Sequence, residues 1–184
     1  WLLDSAHGAR AGGAVTAATG IARSVPTPRT STKSGAKASV RSHVGRPEGK
    51  VNTEYSLEVT LPASARAFGR GVTCVPTEWV DGAAAKEAID AAPDGAVLVL
   101  ENTRFHPGEE KNDPELSARM ASLGDIYIND AFSSAHRAHA STEGVARLLP
   151  SGAGTTLAAA LTALEATLRH PHAPGRAVRR PATV

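Results

Sequence analysis

The sequence predicts an α/β domain with a doubly wound parallel sheet, and three observations predict it. Short apolar segments at 72–75, 96–100 and 126–128 are continuous rather than alternating, which is typical of parallel strands covered on both faces. Helical patterns separate these segments along the chain. Turn signals, Pro-Asp-Gly at 93–95 and Gly-Asp at 124–125, precede the second and third strands. The alternation of strands and helices predicts right-handed crossovers within one sheet.

The intervening segments account for the predicted helices. Four segments are predicted to be helical: 55–68, 81–91, 113–124 and 156–169. Asp113 is a suitable N-cap and Pro114 suits the first helical position, while Gly124 is expected near the end of that helix. Pro62 lies inside the first of the four and is expected to kink or shorten it.

Composition divides the chain into three parts. Residues 37–169 form the predicted folded unit. Residues 1–36 have few large apolar side chains and no clear period, and Pro26 and Pro28 are expected to break a helix, so this part is predicted to be loop or poorly packed. Residues 170–184 are rich in Pro, His and Arg and are predicted to be a disordered basic tail.

Charge and cysteine content exclude several classes of function. The 184 residues carry 20 basic and 18 acidic side chains, a balance that argues against general binding to nucleic acid or membrane surfaces. No apolar stretch has the length of a membrane span. The single cysteine, Cys74, cannot form an internal disulfide and is expected to be a buried strand thiol. The chain starts without Met or a signal-peptide pattern, so we expect a cytoplasmic protein that is a fragment or a processed product.

Basic residues are concentrated in three short segments, 42–47, 100–106 and 129–139, each at or just after the end of a predicted strand. Ligands of open α/β sheets bind beyond the carboxyl ends of strands, so the three segments are expected to converge on one site. They contribute His43, Arg46, Arg104, His136, Arg137 and His139. Guanidinium and imidazole groups gathered without matching acids favour a small, multiply charged anion, such as a phosphate-bearing carboxylic acid, and phosphoryl transfer.

Other interpretations of the same residues remain open. A single Arg or His is more often a solvated or structural residue. His136 and His139 have a spacing that metal ligands use, but no thiolate or second histidine pair supports zinc. Glu101 and Asp130 suit a paired-carboxylate hydrolase, or they hold loops through backbone hydrogen bonds. Residues 109–111 are interpreted as a solvated turn, and no nucleotide-phosphate loop motif is present.

Four motifs in order make a resemblance specific. They are Ser-His-Val-Gly-Arg-Pro at 42–47, Leu-Glu-Asn-Thr-Arg-Phe-His at 100–106, Glu-Glu-Lys-Asn-Asp-Pro at 109–114 and Asn-Asp-Ala-Phe-Ser-Ser-Ala-His-Arg-Ala-His at 129–139. The sequence resembles the phosphoglycerate kinases in these motifs, strongly over about 40–154 and weakly upstream. The resemblance implies the N-terminal, Rossmann-like domain of that family, whose reaction is reversible phosphoryl transfer between 1,3-bisphosphoglycerate and ADP in glycolysis.

The resemblance also assigns roles to the basic residues. His43, Arg46, Arg104 and Arg137 fall on positions that bind 3-phosphoglycerate, and His136 and His139 fall beside them. In the family, ATP or ADP with magnesium binds a separate C-terminal domain, so no cofactor is expected on this chain. A monomer is expected, with no nucleic-acid or membrane partner.

Two departures from the family pattern bear on activity. The arginine that the resemblance assigns to the transferring phosphoryl group is replaced by Gly20, and Arg23 would lie about 300° further around a helix. The early acid–amide motif is not recognisable in residues 1–12. We therefore expect weak substrate binding without turnover by this chain alone. The alternatives are a non-catalytic anion-binding or interaction module, which would pair with a separate nucleotide-binding domain, and a poorly folded relic, which residues 1–36 and Pro62 favour.

Overall fold

The computed structural model describes residues 2–3, 10–11, 14–15, 19–76 and 83–169. The predicted basic tail at 170–184 and the first two residues of the helix predicted at 81–91 lie outside the described residues.

Parallel strands form the centre of the fold. One three-stranded sheet has β6 (Val97–Leu100) between β4 (Ala38–Val40) and β5 (Val72–Val75). A second has β7 (Tyr127–Asp130) between β1 (Leu2–Leu3) and β8 (Ser151–Ala153). Both sheets are parallel throughout, which confirms the predicted parallel strand direction, but the strands expected in one sheet are divided between two. A short antiparallel pair joins β2 (Arg10–Ala11) to β3 (Ala14–Val15).

Helices connect the strands. They are α1 (Thr19–Ser24), α2 (Pro26–Lys33), α3 (Leu61–Phe68), α4 (Ala83–Ala91), α5 (Pro114–Ala121) and α6 (Thr155–Arg169). Shorter helical turns lie at Thr53–Tyr55, Leu57–Thr60, Thr103–Phe105 and Ala140–Gly144, the last being a π-helix. None of the described helices is both long and apolar enough to span a bilayer.

The central strand β6 packs on both faces, as its continuous apolar sequence predicts. Successive strand residues point to opposite faces. Leu98 and Leu100 belong to one buried cluster, which includes Met120 of α5. Val97 and Val99 belong to the other, in which Phe68 of α3 also packs. All four β6 side chains are buried, so the strand forms the centre of a core covered by helices on either side.

The prediction for residues 1–36 is wrong over its second half. Residues 19–33 form α1 and α2 instead of loop, and Ile21 and Val25 are buried in the core. A helix break does occur at Val25, directly before Pro26, but both prolines then lie in the first turn of α2, where the backbone N–H of a residue has no partner within the helix.

Pro62 likewise begins a helix. The segment predicted as one helix over 55–68 is a set of 3₁₀ turns followed by α3, with Pro62 in the first turn of α3. The helix ends at Gly69, whose φ of 67° is the left-handed conformation that glycine adopts without strain. Neither the proline nor residues 19–33 therefore supports the interpretation of the chain as a poorly folded relic.

Two further boundaries differ from the sequence prediction. The predicted start of α5 is confirmed, since Asp113 is its N-cap and the Asp113 carboxylate accepts a hydrogen bond from the N–H of Leu116. The end of this helix differs from the prediction. It ends at Ala121, three residues before Gly124. The third predicted strand is displaced, since β7 starts at Tyr127 and continues to Asp130, while Ile126 is exposed.

Candidate anion-binding site at three strand ends

The first two basic segments are joined directly. Strands β4 and β6 are paired in parallel, with Val40 opposite Val99, so their carboxyl ends lie at one edge of the sheet. Just beyond that edge the N–H of Thr103 donates to the carbonyl of Ser42 over 3.1 Å. The side-chain amide of Asn102 donates to the carbonyl of Val44 over 2.8 Å. These bonds hold the segments after β4 and β6 side by side.

Glu101 stabilises the pairing of these two segments from the interior of the domain. Its carboxylate is buried and accepts hydrogen bonds from Ser56 Oγ (2.5 Å), Leu57 N (2.6 Å) and Asn102 N (2.7 Å). A buried carboxylate with three hydrogen-bond donors, two of them from a segment some 45 residues away, acts as a loop anchor. Of the two roles that the sequence left open for Glu101, the structure therefore supports loop anchoring rather than hydrolysis.

Arg104 occupies the centre of the basic site. Its Nη1 donates to the carbonyl of Gly45 over 2.9 Å, and Nη2 lies 3.7 Å from the Glu110 carboxylate. Burial is the main cause of a lowered pKa for Arg104, and the positive charges of Arg137 and Arg46 lower it further. The charges of Arg137 and Arg46 therefore act on Arg104, so one arginine from each of the three segments contributes to the positive potential at this position.

Gly45 allows the backbone of the first basic segment to lie against the ring of Tyr55. Its φ is 69°, and an added Cβ would lie 2.3 Å from Cδ1 of the Tyr55 ring. Both the backbone conformation and the space require glycine at this position. Arg46, the next residue, is exposed at the edge of the site.

The third segment contributes its arginine and two histidines. Arg137 is exposed and its Nε donates to Nε2 of His136 over 3.3 Å. His139 is largely buried, and its pKa is lowered, first by burial and then by the charges of Arg104, Arg137 and His136. Five of the six predicted basic residues are thus connected electrostatically.

The sixth predicted residue, His43, lies in the segment after β4 and is half-buried. Its position at the strand end agrees with the sequence prediction. The electrostatic effects described above do not include it.

Glu109 is a residue that the sequence interpretation misplaced. The turn at 109–111 was expected to be solvated, yet Glu109 is only 2% exposed, whereas Glu110 and Lys111 are exposed. Its carboxylate accepts hydrogen bonds from both the N–H (3.0 Å) and the hydroxyl of Ser141. Burial raises the pKa of Glu109 to about 7, although the Ser141 bonds and the charges of Arg104 and Arg41 oppose the rise. Its burial depends on a partner 32 residues away, which no local pattern reveals.

Arg41 is a second buried charge that the sequence interpretation missed. It follows β4 directly, and its Nη2 donates to the carbonyl of Met120 over 2.5 Å. Burial lowers the pKa of Arg41 to about 10, against the effects of Tyr127 and Glu109. The hydroxyl of Tyr127 donates to the carbonyl of Ser141 over 2.8 Å. We call Arg41, Glu109, Tyr127 and Ser141 the buried polar layer.

Asp130 is a helix cap. It is fully buried at the end of β7 and accepts hydrogen bonds from the N–H groups of Thr156 (2.8 Å) and Leu157 (2.9 Å) in the first turn of α6. Thr27 of α2 donates its hydroxyl to the same carboxylate over 2.6 Å. Asp130 thus joins a strand and two helices, and its role is structural, as for Glu101.

Gly20, at which the sequence resemblance leads us to expect an arginine, lies within α1. Arg23, on the same helix, is exposed, and its carbonyl accepts a hydrogen bond from the hydroxyl of Thr156 over 3.0 Å. Among the described residues no group of three or more His, Cys, Asp or Glu side chains is arranged to hold a metal ion.

Comparison with known proteins places this site in a family. The sequence model of the family described as phosphoglycerate kinase matches residues 4–179. The chain belongs to the phosphoglycerate kinase family. Phosphoglycerate kinases of Cereibacter sphaeroides and of a Ruegeria species are each 54% identical to it over 166 residues, 90% of this chain. The aligned region is 42% and 41% of those relatives, so the chain spans well under half of their length.

Comparison with solved structures points to the same family. The phosphoglycerate kinase of Coxiella burnetii is similar with a TM-score of 0.79 and 33% identity, covering 90% of this chain and 41% of that one. The phosphoglycerate kinase of Pyrococcus horikoshii gives a TM-score of 0.78 at 25% identity, covering 95% of this chain and 43% of that one. The α/β fold predicted from the sequence is therefore confirmed, and so is the family resemblance.

Proposed function

We propose that this chain is the substrate-binding domain of a phosphoglycerate kinase and that its basic site binds 3-phosphoglycerate. The single observation that supports the proposal is the position of Arg104 where the segments after β4 and β6 are joined, with the positive charges of Arg46 and Arg137 acting on it. Both charges repel the Arg104 guanidinium, and an anion bound beside Arg104 offsets that repulsion. The planar donors of arginine suit the oxygens of phosphate and carboxylate.

The surroundings of the site favour the same ligand. His136 and His139 add donors beside the arginines, and Glu110 is the acid paired with Arg104 among the described residues. Glu110 is 54% exposed and 3.7 Å away, so an incoming anion can displace it at little cost. The remaining nearby acid, Glu109, is buried and bonded to Ser141. His43 completes the proposed set of ligands.

The proposed reaction is that of the family, reversible phosphoryl transfer between 1,3-bisphosphoglycerate and ADP. The nucleotide and its magnesium ion are proposed to bind a separate domain of the family, so the groups assigned to this chain position and neutralise the phosphoglycerate only. We propose a cytoplasmic monomer, in line with the family. Because Gly20 cannot supply the charge of an arginine to the transferring group, the 184-residue chain is proposed to bind without turnover.

Isothermal titration of the 184-residue chain with 3-phosphoglycerate tests the binding proposal. Loss of one charge-assisted arginine contact costs about 1.5–3 kcal/mol, or roughly 10- to 100-fold in affinity. Arg137→Ala should therefore reduce binding by at least tenfold. Arg66→Ala is the matched control, because Arg66 is exposed in the last turn of α3, which leads to the opposite edge of the sheet. Equal affinity of wild type and Arg137→Ala would contradict the proposal.

A coupled assay for phosphoryl transfer tests the proposal that the chain binds the substrate without turnover. We expect no turnover by the 184-residue chain with ATP and 3-phosphoglycerate. Clear transfer that Arg137→Ala removes would show that Gly20 does not prevent activity.

A second candidate function is an interaction module that binds an anion and pairs with a separate nucleotide-binding domain. The observation in its favour is a row of exposed leucines on α6, at Leu161, Leu164 and Leu168. Co-expression with the C-terminal domain of a related kinase should then give a stable complex that Leu164→Asp weakens. Absence of association at micromolar concentrations would exclude this candidate.

A further inference from the structure

The buried polar layer lies directly under the basic site, and the proposed function gives Glu109 no role. Glu109 connects two segments that are far apart in the chain. Its backbone carbonyl accepts from the N–H of Ala140 over 2.9 Å, and its carboxylate binds both donors of Ser141. The π-helix Ala140–Gly144 follows immediately after the segment that carries Arg137 and His139. Glu109 therefore holds the third basic segment in place from below.

Charged and titratable groups face Glu109 from every element packed around it. His139 Nδ1 lies 4.0 Å from its Oε1, on the third basic segment. Arg41 after β4 and Arg104 after β6 both favour its charged form. Tyr127 of β7 is a further titratable neighbour, and its own pKa is raised mainly by burial. His106 is adjacent as well, since its carbonyl accepts a hydrogen bond from the N–H of Glu109. Glu109 is thus a buried carboxylate whose charge depends on the same arginine that the proposed substrate would contact.

We propose that Glu109 is a positioning residue of the basic site and that it takes up a proton from solvent when an anion binds there. The inference rests on the proposed function. An anion at Arg104 cancels positive charge that stabilises the Glu109 carboxylate, and it adds negative charge close to His139. The first effect favours the neutral carboxylic acid at position 109, whereas the second favours protonation of the His139 imidazole.

The proton uptake has a predictable size and pH range. The pKa of Glu109 is about 7 in the free protein. If anion binding raises this pKa by about one, each binding event takes up roughly half a proton near pH 7.5. The pKa of His139 is lowered from 6.5, and the second pKa of a phosphate monoester is about 6, so both groups titrate mainly below this range.

Isothermal titration with 3-phosphoglycerate at pH 7.5, in two buffers of different ionisation enthalpy, measures the uptake. We expect roughly half a proton per site for the wild type and close to none for Glu109→Gln. Glu110→Gln is the matched control, because it removes the charge of the neighbouring carboxylate, which is exposed and is paired with Arg104. It should retain the uptake and bind the anion slightly more tightly, since a competing ion pair is removed.

A second variant covers the case in which Glu109→Gln does not fold. Ser141→Ala removes the hydroxyl donor that lowers the pKa of Glu109, so the pH of maximum uptake should move upward. Binding by the wild type with no buffer dependence, or with uptake unchanged in Glu109→Gln, would overturn this inference and leave the proposed function intact. Absence of any binding by the wild type would overturn both.

Discussion

Replacement of Asp130 by alanine should destabilise the domain strongly, because one carboxylate caps α6 and holds α2. The variant leaves the hydroxyl of Thr27 and the amides of Thr156 and Leu157 without their acceptor. A lost N-cap costs about 1 kcal/mol, and a hydrogen bond to a charged group contributes about 1.5–3 kcal/mol. These losses are not additive, because water can enter the space that the smaller alanine side chain leaves. We expect the free energy of unfolding to fall by about 3 kcal/mol in all.

Urea unfolding followed by circular dichroism measures this loss. For a domain of this size the expected change moves the midpoint down by roughly 1–2 M. Asp130→Asn retains one carbonyl oxygen for the α6 amides and should cost about 1 kcal/mol. Asp125→Ala is the control, because Asp125 is exposed just before β7, and its effect should stay within about 0.5 kcal/mol. Equal midpoints for Asp130→Ala and Asp125→Ala would refute the assignment of Asp130 as the structural link.

Three other predictions concern separate parts of the domain. Gly45→Ala should weaken 3-phosphoglycerate binding in titration calorimetry, because its Cβ would overlap the Tyr55 ring at a φ of 69°; unchanged affinity would argue against a rigid first segment. The free energy of unfolding should fall as the pH rises from about 4.5 to about 7 and then level off, because the pKa of Glu109 is about 7 in the folded state against 4.5 in the unfolded state, and the folded state binds more protons between these values. This fall, at most about 3 kcal/mol, should shrink in urea titrations of Glu109→Gln, and an identical pH profile would contradict it. The half-buried Cys74, whose pKa burial raises to about 11, should react with iodoacetamide at pH 7.5 only after unfolding, and rapid alkylation of the native chain would contradict its structural role.

Features that depend on local chemistry could be predicted from the sequence. The N-cap at Asp113 followed by Pro114 is a short-range signal, and the structure confirms it. The strand at Val97–Leu100 is apolar throughout because both faces are covered, so its sequence identifies it without alternation. Parallel strands of one sheet end at a common edge, which is why the joining of the segments after β4 and β6, with Arg46 and Arg104, could be expected from their positions after strands.

Features that depend on residues distant in the chain could not be predicted from the sequence. Glu109 lies in a turn with the composition of a solvated loop, and only Ser141 makes it a buried group. In the sequence, Arg41 has the context of an ordinary polar residue that follows a strand. The structure shows that it is buried and donates a hydrogen bond to the carbonyl of Met120. The expected helix break at Pro26 is present between α1 and α2, but the sequence did not show that a second helix begins there. A proline breaks a helix in its interior and is accepted in its first turn, and the starting residue of α2 has no local signal besides the prolines.

The most direct test of the central claim is a ¹H–¹⁵N NMR titration of the 184-residue chain with 3-phosphoglycerate. The proposal predicts saturable shifts confined to the strand-end segments that contain Arg46, Arg104 and Arg137. The turns at Gly69 and Gly95, which precede β5 and β6 at the opposite edge of the sheet, should stay unchanged. Shifts centred on those turns, or no saturable shifts at the three arginine segments, would contradict the claim that the strand ends form the substrate site.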